Sequence, residues 1–153
     1  MEIKILTESE KKKITNQLKE QFGIEYLDGT LIRLGKERIM LFTGEIERKW
    51  IETIYNNLHI EGIGLYIGKE QDDGIRLSIE GAQLFKEQIK KNIFELEDHQ
   101  VDDWMKGRQL DIQTGKKGFF VMKYKNDFLG TGKFSEEKIG NFIPKERRLK
   151  EKS

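Results

Sequence analysis

The sequence predicts an α+β fold in which an N-terminal α+β domain precedes a small β-barrel. Apolar residues recur at helical spacing in the first half, and short β-prone runs alternate with turns in the last third. The 15 glycines and single proline favour tight turns, while apolar and charged fractions of 36% each indicate a core beneath a charged surface. We expect domains at 1–90 and 91–149 and a flexible tail at 150–153.

The first domain is predicted to begin with an amphipathic helix over 7–22. Thr7, followed by Glu10, is a typical N-cap, and Gly23 is a typical helix stop. Between them, apolar side chains recur every four residues, so that they share one face.

Three antiparallel strands and a second helix are predicted next. Asp28-Gly29 is typical of a tight hairpin turn, and apolar residues from Ile46 to Leu58 recur at helical spacing. The strands are predicted at 24–27, 30–34 and 38–43, and the helix at 45–58, packed on their sheet.

The remainder of the first domain is predicted as a strand, a turn, a strand and a helix. The first strand is glycine-punctuated, and an acidic turn at 71–73 joins it to the second. The strands are predicted at 60–69 and 74–78, and the helix at 79–89.

After residue 92 the pattern changes to short strands with glycine turns, which is typical of a small barrel. A helical turn is predicted at 101–105. The strands are predicted at 93–96, 110–112, 119–124, 128–134 and 138–143.

Charge is distributed unevenly along the chain. Residues 1–100 carry a net charge of −4 and residues 101–153 carry +5, which is expected when only the C-terminal part binds phosphates. The chain has no cysteine, which excludes disulfides and thiolate sites and fits a reducing cytoplasm. No apolar run approaches the roughly 20 residues of a membrane span, so we expect no membrane partner.

Motifs for catalysis or cofactor binding do not match their required spacings. The glycine-lysine run at 129–133 lacks the earlier glycine and the hydroxyl residue of a phosphate loop, and Gly62, Gly64 and Gly68 miss the dinucleotide-binding spacing. The histidines, His59 and His99, have no ligand at helical metal spacing. The sequence therefore predicts no enzyme activity, no cofactor and no metal.

A basic surface carrying aromatic side chains remains as the candidate site. Alternation in 119–125 places side chains on two faces of a strand, and Pro144 fixes an extended backbone beside several cations. Arginine binds phosphate in a bidentate manner, so we expect phosphate contacts here. The predicted phosphate-binding residues are Lys106, Arg108, Lys123, Lys125, Lys133, Lys145, Arg147 and Arg148, with Asn141 and Phe142 shaping or contacting the site.

Three segments carry a resemblance to a known domain. Trp104-Met105-Lys106-Gly107-Arg108-Gln109-Leu110 resembles the PUA signature, in which a short helix leads to Lys-Gly and an apolar strand. Leu129-Gly130-Thr131-Gly132-Lys133 and the string 138–148 are similar to the PUA-like domain of RsmF-type and Sun-family rRNA cytosine methyltransferases. The domain order also resembles the ribosome-biogenesis family with a pre-PUA domain before PUA.

The resemblance implies a PUA barrel that binds structured RNA, and we expect a non-catalytic rRNA- or tRNA-binding accessory factor in RNA modification or ribosome biogenesis. Methyl transfer is not carried over, since the sequence has no room for the catalytic domain. An RNA methyltransferase or a ribosome-assembly factor is the expected protein partner. An alternative is an adaptor that docks an RNA-modifying enzyme through its acidic N-terminal domain.

Overall fold

The computed structural model describes residues 2–43 and 64–150, and within them the first sheet has five antiparallel strands. The order in the sheet follows the order in the chain, so that each strand pairs with the next. The strands are β1 (Ile3–Ile5), β2 (Thr30–Leu34), β3 (Arg38–Phe42), β4 (Leu65–Gln71) and β5 (Gly74–Leu77).

Helix α1 (Glu8–Phe22) confirms the first predicted element. Thr7 and Glu10 exchange the two hydrogen bonds of a capping box, and Gly23 ends the helix at a φ of 80°. A hydrogen bond from Lys4 and one from the Thr7 backbone lower the pKa of the Glu10 carboxyl to about 2. The apolar face, including Leu18 and Phe22, is buried.

The predicted strand at 24–27 and the hairpin at Asp28-Gly29 are wrong. Ile24 and Leu27 are buried, but their segment is irregular. The Gln88 side-chain oxygen accepts hydrogen bonds from the backbone of Glu25 and Tyr26 at 2.9 and 3.0 Å, which satisfies donors that a strand would pair. The N-terminal strand β1 pairs with β2 instead.

Helix α2 (Ile79–Leu84) is shorter than the predicted span of 79–89. It lies very close to β4, because a Cβ added at Gly81 would stand 2.2 Å from the Ile67 carbonyl oxygen. After the helix, turns continue to Gln88, and the following residue, Ile89, is still buried. The predicted helix at 45–58, His59 and the start of the strand predicted at 60–69 lie outside the described residues.

A second sheet contains four strands in the described part of the chain, in the order β6-β7-β8-β9. Strands β6 and β7 are parallel, and the other pairs are antiparallel. In place of a strand at 110–112, Leu110 forms a single bridge with Ile139. Closure into a barrel stays a prediction. The elements are β6 (Ile93–Glu95), helix α3 (Asp98–Met105), β7 (Gly118–Tyr124), β8 (Asp127–Phe134), β9 (Ile139–Asn141) and a 3-10 turn (Lys145–Arg147).

The two sheets share a hydrophobic core. Phe119, Val121 and Phe128 of the second sheet pack in the same cluster as α1 and the first sheet. A separate cluster surrounds Trp104. The first sheet therefore draws part of its core from the C-terminal third, and a fragment cut near residue 90 would lose this packing.

Candidate nucleic-acid interface

The closing segment, residues 141–148, is fixed to α3 by Asn141. The Asn141 side-chain nitrogen donates to the carbonyl oxygens of Trp104 and Arg108 at 2.8 and 2.9 Å, while its oxygen accepts from the Ile143 N–H at 2.8 Å. All of these hydrogen bonds lie within the protein. Asn141 thus fixes the closing segment against α3 and the turn after it, and a role in contacting RNA stays a prediction.

Arg148 lies against the turn that follows α3. Its Nε donates to the Ile143 carbonyl oxygen at 2.8 Å, and a Cβ at Gly107 would stand 2.2 Å from that nitrogen. Gly107 also has a φ of 85°, so glycine suits the position in both respects. Arg148 braces the closing segment, and its binding to phosphate stays a prediction.

Two predicted cations at the end of α3 are paired with carboxylates. Lys106 Nζ lies 2.9 Å from Asp102 Oδ2, and Arg108 Nη1 lies 2.8 Å from Asp103 Oδ1. Each pair has at least one solvent-exposed partner, and surface pairs contribute about 0–1 kcal/mol each. Phosphate would have to compete with these carboxylates.

Lys123 and Lys125 lie at the turn between β7 and β8. Lys123 Nζ is 5.8 Å from the centre of the Phe128 ring and 3.9 Å from Glu95 Oε1. Lys125, with a φ of 55°, is exposed and has its Nζ 5.2 Å from the Tyr124 ring centre. Both cations remain accessible to solvent.

Lys133 is joined to the first sheet rather than to the closing segment. Its Nζ lies 2.8 Å from Asp73 Oδ2 and 5.8 Å from the centre of the Phe119 ring. The hydrogen bond from Lys133 lowers the pKa of the Asp73 carboxyl below its usual value of 3.8. A depressed folded-state pKa contributes stability above that usual value, and the contribution is lost as the pH falls through the folded-state pKa.

Replacement of Lys133 with glutamine is expected to raise the pKa of Asp73 towards 3.8, because the charged donor is lost. A carboxyl-carbon NMR titration measures this shift. Lys117→Gln is the control, since Lys117 pairs with Glu136 and not with Asp73. An unchanged Asp73 titration in Lys133→Gln would show that the ion pair is not formed in solution.

Phe142 and Arg147 face a cavity between the closing segment and the first sheet. The Phe142 ring lies 4.0 Å from Arg76 Cζ, and the Arg147 guanidinium pairs with Glu80 of α2. Lys145, in the 3-10 turn, is exposed. The structure therefore brings Phe142 and Arg147 together with cations from the first sheet.

This cavity, called here the sheet cavity, has a volume of about 620 Å³. It is bounded by β3, β4, β5, α2, β8 and the closing segment. Its polar and aromatic lining residues include Arg38, Tyr66, Lys69, Arg76, Phe142 and Arg147.

Sequence reasoning missed the four members from the first sheet. Strand register makes Lys69 the cross-strand partner of both Arg38 and Arg76, so the three form one row, called here the cation row. Arg38 lies 31 residues before Lys69 in the chain, whereas Lys69 and Arg76 belong to one hairpin, and no linear motif unites all three. The signal present in the sequence was one basic residue in each of the predicted strands 38–43, 60–69 and 74–78.

Neither a metal site nor a membrane span is found within residues 2–43 and 64–150. These residues contain no group of three or more histidine, cysteine, aspartate or glutamate side chains arranged to hold a metal ion. None of their helices is both long and apolar enough to cross a membrane.

Comparison with known proteins places the C-terminal part in a defined domain type. Residues 91–149 match the profile of the family described as methyltransferase RsmF PUA domain. This span contains α3, the second sheet and the closing segment. The predicted PUA resemblance is confirmed.

Weaker similarity extends over most of the chain. Ribosomal RNA small subunit methyltransferase F of Vibrio campbellii is 25% identical over 144 residues, which is 90% of this chain and 29% of the relative. The Psychromonas ingrahamii protein of the same name is 28% identical over 128 residues, or 82% of this chain and 26% of the relative. The chain thus spans less than a third of the length of these relatives.

Proposed function

Because residues 91–149 are a PUA domain of the RsmF type, we propose that this chain binds structured RNA of the small ribosomal subunit. Its role would be in RNA modification or ribosome biogenesis in the cytoplasm. The relatives are named for small-subunit ribosomal RNA, which favours this RNA over tRNA.

The observation that carries the proposal is the fixed, cationic closing segment. Asn141 ties the segment to α3 and the turn that follows it, Arg148 donates to the Ile143 carbonyl oxygen within the segment, and Lys145 is exposed beside Arg147. A segment that is already ordered loses less conformational entropy when it binds. Lysine and arginine beside a fixed backbone suit the phosphates and shape of A-form RNA, whose deep major groove admits few side chains.

We further propose that the chain has a non-catalytic, accessory role. The profile that matches belongs to the PUA domain, so the similarity it reports concerns that domain. The chain would then deliver or hold RNA for an RNA methyltransferase or an assembly factor. The non-catalytic role is tested by incubating this chain with small-subunit RNA and a methyl donor. Transfer of a methyl group to the RNA would overturn it.

RNA binding itself is tested by fluorescence anisotropy of the full chain with a labelled hairpin from small-subunit ribosomal RNA. We expect specific binding whose logarithmic affinity falls linearly with the logarithm of salt concentration, because bound cations release counterions from phosphates. The same sequence made as duplex DNA should bind more weakly, since it lacks A-form geometry and 2′-hydroxyls. Equal affinity for RNA and DNA would contradict the proposal.

A protein adaptor is a second candidate, favoured by the net charge of −4 over residues 1–100. The first sheet shares its core with Phe119, Val121 and Phe128, so the full chain is the appropriate bait. Recovery of an RNA-modifying enzyme that survives ribonuclease treatment would support the adaptor. Recovery that disappears with the RNA would overturn it.

A further inference from the structure

We infer that the sheet cavity binds one unpaired nucleotide of the RNA, with its phosphate at the cation row and its base against the neighbouring aromatic surface. This inference rests on the proposed function and specifies which RNA element the protein recognises. It also assigns a binding role to the first sheet, which the similarity to the PUA domain does not cover.

The cation row indicates an anionic ligand. Arg38 is opposite Lys69, and Lys69 is opposite Arg76, on adjacent antiparallel strands. Like charges directly opposite each other destabilise a sheet. Within residues 2–43 and 64–150, no carboxylate forms an ion pair with any of the three. A bound phosphate would offset their mutual repulsion.

The described side chains that line the sheet cavity include fewer carboxylates than cations. Glu80 and Glu146 are the acidic side chains among the described residues that line the cavity, and Glu80 already pairs with Arg147. Among the described residues, four cationic and two acidic side chains line the cavity. This excess of positive charge favours an anion.

Two aromatic rings at the cavity, each in contact with an arginine side chain, offer surfaces on which a nucleobase can stack. Arg38 Cζ lies 5.0 Å from the centre of the Tyr66 ring, and Arg76 Cζ lies 4.0 Å from that of Phe142. Both distances fall within the roughly 6 Å limit of a cation–π interaction, which restrains the guanidinium before RNA arrives. Unstacked bases are recognised by stacking on aromatic rings and guanidinium planes. Apolar groups such as Met40 and Leu77 complete the lining.

The shape of the site favours an unpaired nucleotide over a duplex. A volume of about 620 Å³ lies within the range of about 300–1,000 Å³ that is typical of small-ligand pockets. Bases within an A-form helix are paired and stacked, so they cannot enter such a concavity. A bulged or looped-out nucleotide can.

The test compares an RNA hairpin carrying one bulged nucleotide with the same hairpin lacking it, both titrated against the full chain. We expect the parent to bind the bulged hairpin about 10-fold more tightly, within the range typical of stacking of one base. Arg38→Gln/Lys69→Gln should lose this preference. Its thermal midpoint without RNA should be equal to or above that of the parent, because repulsion within the row is relieved.

Lys12→Gln/Lys19→Gln is the matched control, since it removes two exposed cations from α1, outside the cavity. This variant should keep the preference for the bulge. Equal binding of both hairpins by the parent, or a retained preference in Arg38→Gln/Lys69→Gln, overturns the inference while RNA binding stands. Failure to bind either hairpin overturns the proposed function and the inference together. If the thermal midpoint of Arg38→Gln/Lys69→Gln lies several degrees below that of the parent, the cation row stabilises the fold, and its assignment as a phosphate-binding site is overturned.

Discussion

Replacement of Trp104 with alanine is expected to lower the free energy of unfolding by about 3–5 kcal/mol, the range for deletion of a large aromatic side chain from a core. Trp104 is fully buried, and its indole N–H donates to the Leu129 carbonyl oxygen at 2.9 Å. Gly132 lies so close that an added Cβ would stand 3.1 Å from the indole Cη2. Close packing on this side limits collapse of the cavity that alanine would leave.

Urea denaturation measures this loss, and Trp104→Phe is the control. Because phenylalanine keeps much of the apolar volume, Trp104→Phe should lose less unfolding free energy than Trp104→Ala. Some loss is still expected, since the Leu129 carbonyl oxygen is left without its indole donor. RNA binding should weaken in Trp104→Ala as well, because the loss of its buried side chain loosens the packing of α3, whose backbone holds Asn141 and the closing segment. An unfolding free energy equal to the parent's would show that Trp104 does not organise this core.

Reversal of two charges in the closing segment, in Lys145→Glu/Arg147→Glu, is expected to weaken binding of structured RNA by roughly 100-fold or more. Hydrogen bonds to charged groups contribute about 1.5–3 kcal/mol each, and the loss of two corresponds to at least this factor. The new carboxylates would also repel phosphate. Both side chains lie in an exposed 3-10 turn. The variant loses the ion pair of Arg147 with Glu80, but a solvent-exposed pair contributes only about 0–1 kcal/mol, so we expect the fold to be preserved.

Anisotropy titrations at several salt concentrations measure this effect. The slope of logarithmic affinity against logarithmic salt concentration should become shallower by about 1 for each phosphate that the variant no longer binds. Lys12→Glu/Lys19→Glu reverses the same number of charges on α1 and should produce a much smaller change. If both double variants bind RNA equally weakly, the effect comes from net charge, and the closing segment is not the binding site.

Local sequence patterns correctly predicted elements such as α1, whose start and end are specified by residues close together in the chain. Thr7, Glu10 and Gly23 lie within one helix or at its ends and specify where it begins and stops, and this helix was predicted correctly. The strand at 24–27 was wrong because its backbone donors are satisfied by Gln88, which lies more than 60 residues away in the chain. Short-range spacing carries no information about such a partner.

The candidate site also has one part that the sequence could predict and one part that it could not. The closing segment is continuous in sequence, so its cations could be recognised there as a group. The pairing of Lys133 with Asp73 and the alignment of Arg38, Lys69 and Arg76 depend on sheet register. The register of Lys69 against Arg76 follows from the short turn at Asp72-Asp73. Residues 43–64 separate the strand of Arg38 from the strand of Lys69, so their register depends on which side chains are buried and cannot be read from local spacing.

Photo-crosslinking of the full chain to small-subunit ribosomal RNA, followed by mass spectrometry of the crosslinked peptides, tests the central claim most directly. Binding through the closing segment predicts crosslinks in the peptides that contain Phe142 and Lys145, and occupancy of the sheet cavity adds crosslinks at Tyr66. Crosslinks confined to α1, or no RNA recovered at physiological salt, would contradict RNA binding at this surface.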